Sequence, residues 1–192
     1  MRKNAVLIAI LLVFLSSCFS ASPEKKYYEI HLEAAAAPEP FTASLLIDRL
    51  EIDSLYDDFR IIYRVSPFEI NYYAYHFWAD KTSKLLRNAL VQYLEKSRLF
   101  PVLIQEPLKG NADWILRWSV HQIEEVDLAD AWFARLSMKL EIADLKSGKV
   151  LARRIFDRSE PLSRKDVAEV AGVLSRILAE ELRALFAELK DK

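Results

Sequence analysis

The second half of the chain alternates apolar and polar residues in a way that predicts antiparallel β-strands. From Trp114 to Val120 and from Phe133 to Ile142, every second position is apolar and most of the positions between are polar or charged. Successive side chains of a strand point to opposite faces, so this period of two indicates one apolar and one solvated face. A further strand from Val150 to Phe156 follows the turn at Ser147-Gly148, which predicts a meander of three strands.

Shorter apolar stretches in the first half of the chain predict additional strands. Phe59 to Val65 and Glu69 to Tyr75 are rich in β-branched and aromatic residues and are separated by Ser66-Pro67, a pattern typical of a hairpin. Arg64 is placed to pair with Glu69 across that hairpin. The other expected strands are Tyr27 to Leu32, Ser44 to Ile52 and Phe100 to Gln105.

Two segments show the helical spacing of apolar residues. The first runs from about Lys81 to Ser97, and Asp80 is its expected N-cap because a carboxylate can accept from the free amides of the first turn. The second is longer and runs to about Leu189, with Ser163 and Asp166 as its predicted capping box. The fold class that follows is α+β, an antiparallel sheet with two amphipathic helices packed on one face.

The chain opens with the pattern of a secretory signal peptide. Two basic residues precede an uncharged apolar stretch from Ala5 to Leu15, and small residues follow it. A membrane-spanning helix needs roughly 20 apolar residues, so this stretch is too short to cross a bilayer. The sequence therefore predicts a signal peptide at residues 1–17, a lipidated cysteine with its tether at 18–26, and a single periplasmic domain at 27–192.

Leu15-Ser16-Ser17-Cys18 resembles the lipobox of bacterial lipoproteins, whose cysteine receives acyl chains such as palmitate and becomes the first residue of the mature chain. Cys18 is the only cysteine, and acylation accounts for it better than a free thiol in an oxidising compartment. The alternative is an ordinary secreted protein with an accidental cysteine. Phe19 is not the aspartate that retains many lipoproteins at the inner membrane, so the outer membrane is the expected location.

Composition removes several classes of function. The formal net charge is -1 and the pI is about 6.3, so the electrostatic footprint of a nucleic-acid-binding protein is absent from the sequence. The 3 glycines lie far apart, whereas phosphate-binding loops and nucleophile elbows need closely spaced glycines. The 3 histidines are also scattered, so we expect neither a metal site nor a cofactor.

Two pairs of adjacent acidic residues are the available candidates for general acid–base chemistry. They are Asp57 with Asp58 and Glu124 with Glu125. Adjacent side chains point to opposite faces in a strand and are usually solvated in a loop, so this spacing does not favour catalysis. The sequence therefore gives no support for catalysis by either acidic pair.

The densest aromatic stretch runs from Tyr72 to Trp78 and has two candidate roles. One is a layer of the core under the first helix, the more common fate of such residues. The other is contact with a partner or with lipid, because the stretch has more apolar surface than one strand face can bury. We predict a partner interface of Tyr72, Tyr73, Tyr75 and Trp78, in which Tyr73 and Tyr75 are exposed.

Residues between Tyr27 and Phe100 carry a resemblance to a known family. They are Tyr27-Tyr28, Tyr56, Ile61-Ile62-Tyr63-Arg64, Glu69-Ile70, Tyr72, Trp78-Ala79-Asp80, Leu90, Leu94, Ser97 and Phe100. In this order they resemble the ABC-type transport auxiliary lipoproteins, the group that contains paraquat-inducible protein C. The stretch Asp53-Ser54-Leu55-Tyr56 lacks a proline that the family often has, and Phe77 stands where the family often has arginine.

The resemblance implies a non-enzymatic subunit of an ABC transport system that moves lipids across the cell envelope. Such proteins are partners of a component with an MCE domain, while a separate permease and ATPase do the transport work, and a homo-oligomer is compatible with this role. The competing class is a structural or assembly lipoprotein of an outer-membrane complex with no role in lipid cargo. A small envelope hydrolase is the enzyme alternative, and it would require a clustered nucleophile and base.

Overall fold

A computed structural model of the chain describes residues 23–105, 112–128 and 131–190. The predicted signal peptide, Cys18 and Phe19 lie outside the described residues. Within the described ranges, no helix is long and apolar enough to cross a membrane.

The described part of the chain forms strands in both halves and two helices. The strands are β1 (Lys26–Tyr28), β2 (Leu45–Ile47), β3 (Glu51–Ile52), β4 (Arg60–Ser66), β5 (Glu69–Trp78), β6 (Leu103–Ile104), β7 (Trp114–Leu128), β8 (Ala131–Asp144) and β9 (Val150–Pro161). The helices are α1 (Thr82–Ser97), which lies between β5 and β6, and α2 (Val167–Lys190), which follows β9. The predicted hairpin, meander and helices are confirmed, whereas the strands expected at Tyr27 to Leu32 and Ser44 to Ile52 are shorter or divided.

The strands join one sheet, and that sheet is mixed rather than antiparallel. β7, β8 and β9 form the predicted antiparallel meander. Along the other edge of β7, however, the short strands β2, β3 and β4 lie end to end and run parallel to it. The α+β class is therefore confirmed, but the expected antiparallel pairing is wrong for these strands. β4 can run parallel to β7 because β5, α1 and β6 form a long crossover between the two strands.

Helix α1 is capped from a neighbouring loop rather than by Asp80. The backbone N–H of Ser83 donates to Asp57 Oδ1 at 3.0 Å, so Asp57 satisfies one of the free amides of the first turn. Asp80 instead lies 2.5 Å from Lys84 Nζ as an exposed ion pair. The helix ends at Arg98, whose left-handed backbone (φ 51°) lets its N–H donate to the carbonyl oxygen of Leu94.

The predicted capping box of Ser163 and Asp166 does not form at the start of α2. Instead, Asp166 Oδ1 accepts from the N–H of Ala168 at 2.9 Å, which is the role of an N-cap. The carboxylate of Glu169 folds back and accepts from the N–H groups of Ser163 at 2.7 Å and Arg164 at 3.1 Å. Glu169 therefore holds the loop that leads into the helix, and Ser163 is a donor in this contact rather than the capping acceptor.

Both helices cover the same face of the sheet, as predicted. Alternate side chains of β8 are fully buried and share one apolar cluster with the buried stripes of α1 and α2. On α2, that stripe includes Val170, Leu174, Ile177, Leu178, Leu182 and Leu185. A separate small cluster of Leu46, Ile115 and Ala143 lies on the opposite face, which we call the open face.

Candidate interaction surface

Two adjacent buried carboxylates on β7 point to opposite faces of the sheet. Glu124 pairs in register with Arg135 of β8 on the open face, whereas Glu125 pairs with Ala134, which lies in the core under the helices. Glu124 is 1% exposed and Glu125 is fully buried. Because the strand separates them, the two acids have different partners and different electrostatic surroundings, as their adjacency predicted.

The Glu124 carboxylate is held by hydrogen bonds from two side chains. Arg64 donates from Nε to Oε1 at 2.8 Å and from Nη2 to Oε2 at 2.9 Å, which is the bidentate geometry of a strong ion pair. The Tyr56 hydroxyl donates to Oε2 at 2.9 Å. Burial, together with the nearby charge of Glu124, raises the pKa of Tyr56 to about 12. Arg64 therefore pairs with Glu124, and the predicted pairing with Glu69 is wrong.

Glu125 has a single hydrogen-bond partner among the described residues. The Tyr73 hydroxyl donates to its Oε2 at 2.8 Å, and the buried Oε1 is left without a partner within that part of the chain. Burial raises the pKa of Glu125, although the hydrogen bond from Tyr73 acts in the opposite direction. The folded protein therefore favours the neutral, protonated form of this side chain more than the unfolded chain does.

This arrangement predicts a pH-dependent stability that depends on Glu125. The folded chain retains a proton that the unfolded chain releases, so stability is fully present below the ordinary glutamate pKa and is lost as pH rises through the raised one. The loss cannot exceed about 1.4 kcal/mol per pH unit for one proton. Chemical unfolding across this pH range should show the slope in the wild type and lose it in Glu125→Gln. The change Glu51→Gln, at an exposed site on β3, should leave the slope intact.

The polar contacts continue from Tyr73 towards the outer strand β1. The rings of Tyr73 and His76 meet edge to face with centroids 5.3 Å apart, and the Tyr28 hydroxyl lies 2.7 Å from His76 Nδ1. The Tyr73 ring also lies 4.8 Å from that of Tyr63. These contacts attach β1 to β5 on the helix side of the sheet, so this part of the aromatic stretch has a structural role.

The predicted interface residues do not lie on one continuous surface. Trp78 is 2% exposed and belongs to the core. Tyr73 is half-buried and bonded to Glu125, so the expectation that it is exposed is wrong. Tyr72 is partly buried against the main apolar cluster, with the Arg60 guanidinium 3.9 Å from its ring centroid, and Tyr75 is 41% exposed. The predicted interface residues are divided between core and surface because β5 has a bulge. β4 pairs Ile62 with Tyr72 but Arg60 with Phe77, so β5 has extra residues between these two pairs.

Aromatic residues with exposed or partly exposed rings lie along the outer edge of the sheet. Tyr27 of β1 is 64% exposed, and its ring centroid lies 5.8 Å from that of Phe77. The ammonium group of Lys25 lies 5.6 Å from the Phe77 centroid. Tyr75 belongs to the same edge of the sheet, because it directly precedes His76, which pairs with Lys26 of β1. We call Tyr27, Tyr75 and Phe77 the aromatic edge. The sequence did not reveal this surface because β1 is too short to show an alternating pattern.

The other acidic pair, Asp57 and Asp58, also has structural partners. Asp57 caps α1, and Asp58 accepts from the Arg60 guanidinium at 2.6 Å, which lowers the pKa of Asp58 to about 2. In the described ranges, no three histidine, cysteine or carboxylate side chains are grouped so that they could hold a metal ion.

The fold and its edges define a small α+β protein with a mixed sheet covered on one face by two helices. Residues 28–185 match the sequence profile of the ABC-type transport auxiliary lipoprotein component. The chain belongs to this family of transport auxiliary lipoproteins, which confirms the resemblance found in its first half and extends it over the second.

Solved structures show the same fold. A crystal structure of a protein from Xanthomonas campestris has a TM-score of 0.73 and 21% sequence identity, and the match covers 86% of this chain and 98% of that one. The crystal structure of an uncharacterized protein has a TM-score of 0.69 and 18% identity, covering 87% of this chain and 99% of that one. At these identities the likeness is one of fold. No curated protein sequence matches the chain.

Proposed function

We propose that this chain is a non-enzymatic periplasmic lipoprotein subunit of an MCE-type ABC transport system that moves lipids across the cell envelope. The observation that carries the proposal is the family match over residues 28–185. In this role the chain binds a component that has an MCE domain, while a separate permease and ATPase provide the path and the energy. The chain itself needs neither nucleotide nor metal.

The aromatic edge is the surface that best suits a protein partner. Tyr27 and Tyr75 are 64% and 41% exposed, and tyrosines with an accessible apolar ring and a polar hydroxyl are common at interface hot spots. β1 is the last strand of the sheet on this side, so an approaching protein would also meet backbone groups at a strand edge.

Replacing Tyr27 and Tyr75 together with alanine should weaken capture of the MCE-domain partner by about tenfold or more, as expected when interface hot spots are lost. Their exposed rings contribute little to the core, so the thermal unfolding temperature should change little. Binding of the purified full-length variant to the purified partner would measure the first effect, and calorimetry the second. Ile155→Ala is the matched control, because Ile155 is also a large exposed apolar residue (70%) but lies on β9.

Two outcomes would contradict this placement of the interface. If the double variant binds as well as the wild type, the partner does not use the aromatic edge. If Ile155→Ala weakens capture and the double variant does not, the interface lies on the open face near β9. Failure of the wild type to bind any component with an MCE domain would contradict the proposed system itself.

Membrane attachment through Cys18 is the second testable part of the proposal. Mass spectrometry of the membrane-extracted protein should show acyl chains on Cys18 and loss of residues 1–17. Each buried CH₂ of such chains contributes about 0.8 kcal/mol, so two or three chains hold a protein at the bilayer. Recovery of unmodified protein from the soluble periplasmic fraction would contradict it.

On a density gradient, we expect the acylated protein to migrate with outer-membrane markers, since Phe19 follows the cysteine.

A further inference from the structure

The β4–β5 turn and the end of β7 lie at the same end of the sheet and expose apolar side chains there. β4 and β7 run parallel, with Tyr63 beside Glu125, so the turn after β4 and the end of β7 at Leu128 are neighbours. Phe68, in the β4–β5 turn, is 98% exposed, and Leu128 is 44% exposed. Pro67 and Leu128 line one shallow groove. We call Pro67, Phe68 and Leu128 the apolar tip.

Two long hydrogen bonds connect residues of the β4–β5 turn. Arg64 Nη1 donates to the carbonyl oxygen of Pro67 at 3.4 Å, and the N–H of Phe68 donates to Ser66 Oγ at 3.3 Å. Arg64 is itself bonded to the buried Glu124. Phe68 therefore points away from the domain. Exposed apolar side chains that are grouped, as Phe68 is with Pro67 and Leu128, are typical of a surface that contacts a membrane or a partner.

The direction of β1 brings the N-terminal tether towards this same end. β1 is parallel to β5, with Lys26 beside His76, and β5 begins next to the apolar tip at Glu69. The chain that leads into β1 therefore comes from the direction of the tip. The ammonium group of Lys25 lies over the Phe77 ring, so the chain still follows the sheet one residue before β1.

The tether is long enough to reach the tip. β5 is irregular between Tyr72 and Phe77, so β4 gives the better measure of the distance: Phe77 lies beside Arg60 and Glu69 beside Ser66, and Arg60 to Ser66 spans about 20 Å at about 3.3 Å per residue. The stretch from Cys18 to Lys26 can extend over about 26 Å at the same rise. An acylated Cys18 can therefore lie level with Phe68 when the tether runs along the sheet.

We infer that the apolar tip docks on the lipid bilayer that holds Cys18, with Phe68 and Leu128 entering the interfacial layer. This inference rests on the proposed acylation of Cys18. The nearby cations are paired, Lys165 with Asp127 and Arg164 with Asp166 at 3.2 Å, so apolar contact rather than attraction to anionic lipid drives the docking. An aromatic ring at the headgroup boundary is a common membrane contact. The tip would be a second contact beside the acyl chains and would fix the orientation of the domain.

The lone native cysteine makes a direct test of this docking practical. In the full acylated protein the Cys18 thiol is occupied, so a cysteine introduced by Phe68→Cys can be labelled selectively with a nitroxide, whose apolar ring takes the place of the phenylalanine ring at the tip. The protein is reconstituted into vesicles of phosphatidylethanolamine and phosphatidylglycerol. The label at position 68 should then collide with oxygen, which concentrates in the bilayer, and severalfold less with a water-soluble nickel chelate. Ile155→Cys is the matched control, since position 155 is exposed on β9 and should remain accessible to nickel.

Each other outcome of this experiment overturns the inference in a distinguishable way. If the label at position 68 stays as accessible to nickel as the label at 155, the tip does not touch the bilayer. If it is shielded only after addition of the MCE-domain partner, the tip is a protein contact. If the nitroxide also reacts at position 18, the cysteine is not acylated, and the proposed anchoring fails together with the docking.

Discussion

Replacing Arg64 with alanine should lower the free energy of unfolding by about 3–5 kcal/mol, the cost of leaving one member of a buried ion pair without its partner. The Arg64 side chain is 17% exposed, and that of Glu124 is fully buried. The variant would retain the Tyr56 hydrogen bond, but Arg135 Nη1 lies 3.8 Å from the carboxylate, while Nε and Nη2 of the same guanidinium donate to Asp157. Neither group can replace the bidentate contact.

Urea unfolding at neutral pH would measure this effect, and two further variants would isolate its cause. Lys84→Ala removes a solvent-accessible ion pair between α1 and Asp80, which precedes the helix, and should cost less than about 1 kcal/mol. Combining Arg64→Met with Glu124→Leu removes both charges and should recover part of the lost stability. The buried charge is not the cause if Arg64→Ala costs no more than Lys84→Ala, or if the double variant recovers nothing.

The sequence predicted well those elements that are long enough to show a periodic pattern of apolar residues. β7, β8 and the two helices each contain enough residues for alternation or helical spacing to mark their buried face. β2, β3 and β6 have only two or three residues, so no period distinguishes them. The pairing of β2 and β3 parallel to β7 depends on which edge of β7 is free once the sheet has assembled. The sequence of a short strand does not contain that information.

The candidate surface was less predictable because its members are sorted by distant contacts. The sequence placed Glu124 and Glu125 on opposite faces, but it could not show that Arg64 binds Glu124 from β4 or that Tyr73 binds Glu125 from β5. The bulge in β5 turns neighbouring aromatic residues to different sides, and strand alternation alone does not anticipate a bulge. Exposure of Phe68 follows from the turn in which it lies.

The buried apolar stripe of α2 was predictable from the sequence. A substitution in this stripe is the second change from which we expect a large loss of stability. Leu178 is 1% exposed on α2, in the cluster that includes β8. Leu178→Ala would leave a cavity between helix and sheet, because close-packed neighbours relax only partly, and the expected loss of stability is about 2–5 kcal/mol. Thermal and urea unfolding of the purified variant would measure it.

Leu145→Ala is the matched control, because the same atoms are removed from a leucine that is 40% exposed beyond β8. Surface changes of this kind usually stay within about 0.5 kcal/mol. Tyr75→Ala should resemble this control rather than Leu178→Ala, since the aromatic edge is proposed to bind a partner and not to build the core. If Tyr75→Ala instead melts as early as Leu178→Ala, Tyr75 stabilises the fold, and the partner surface must be sought elsewhere, first in the loop from Asp53 to Asp58.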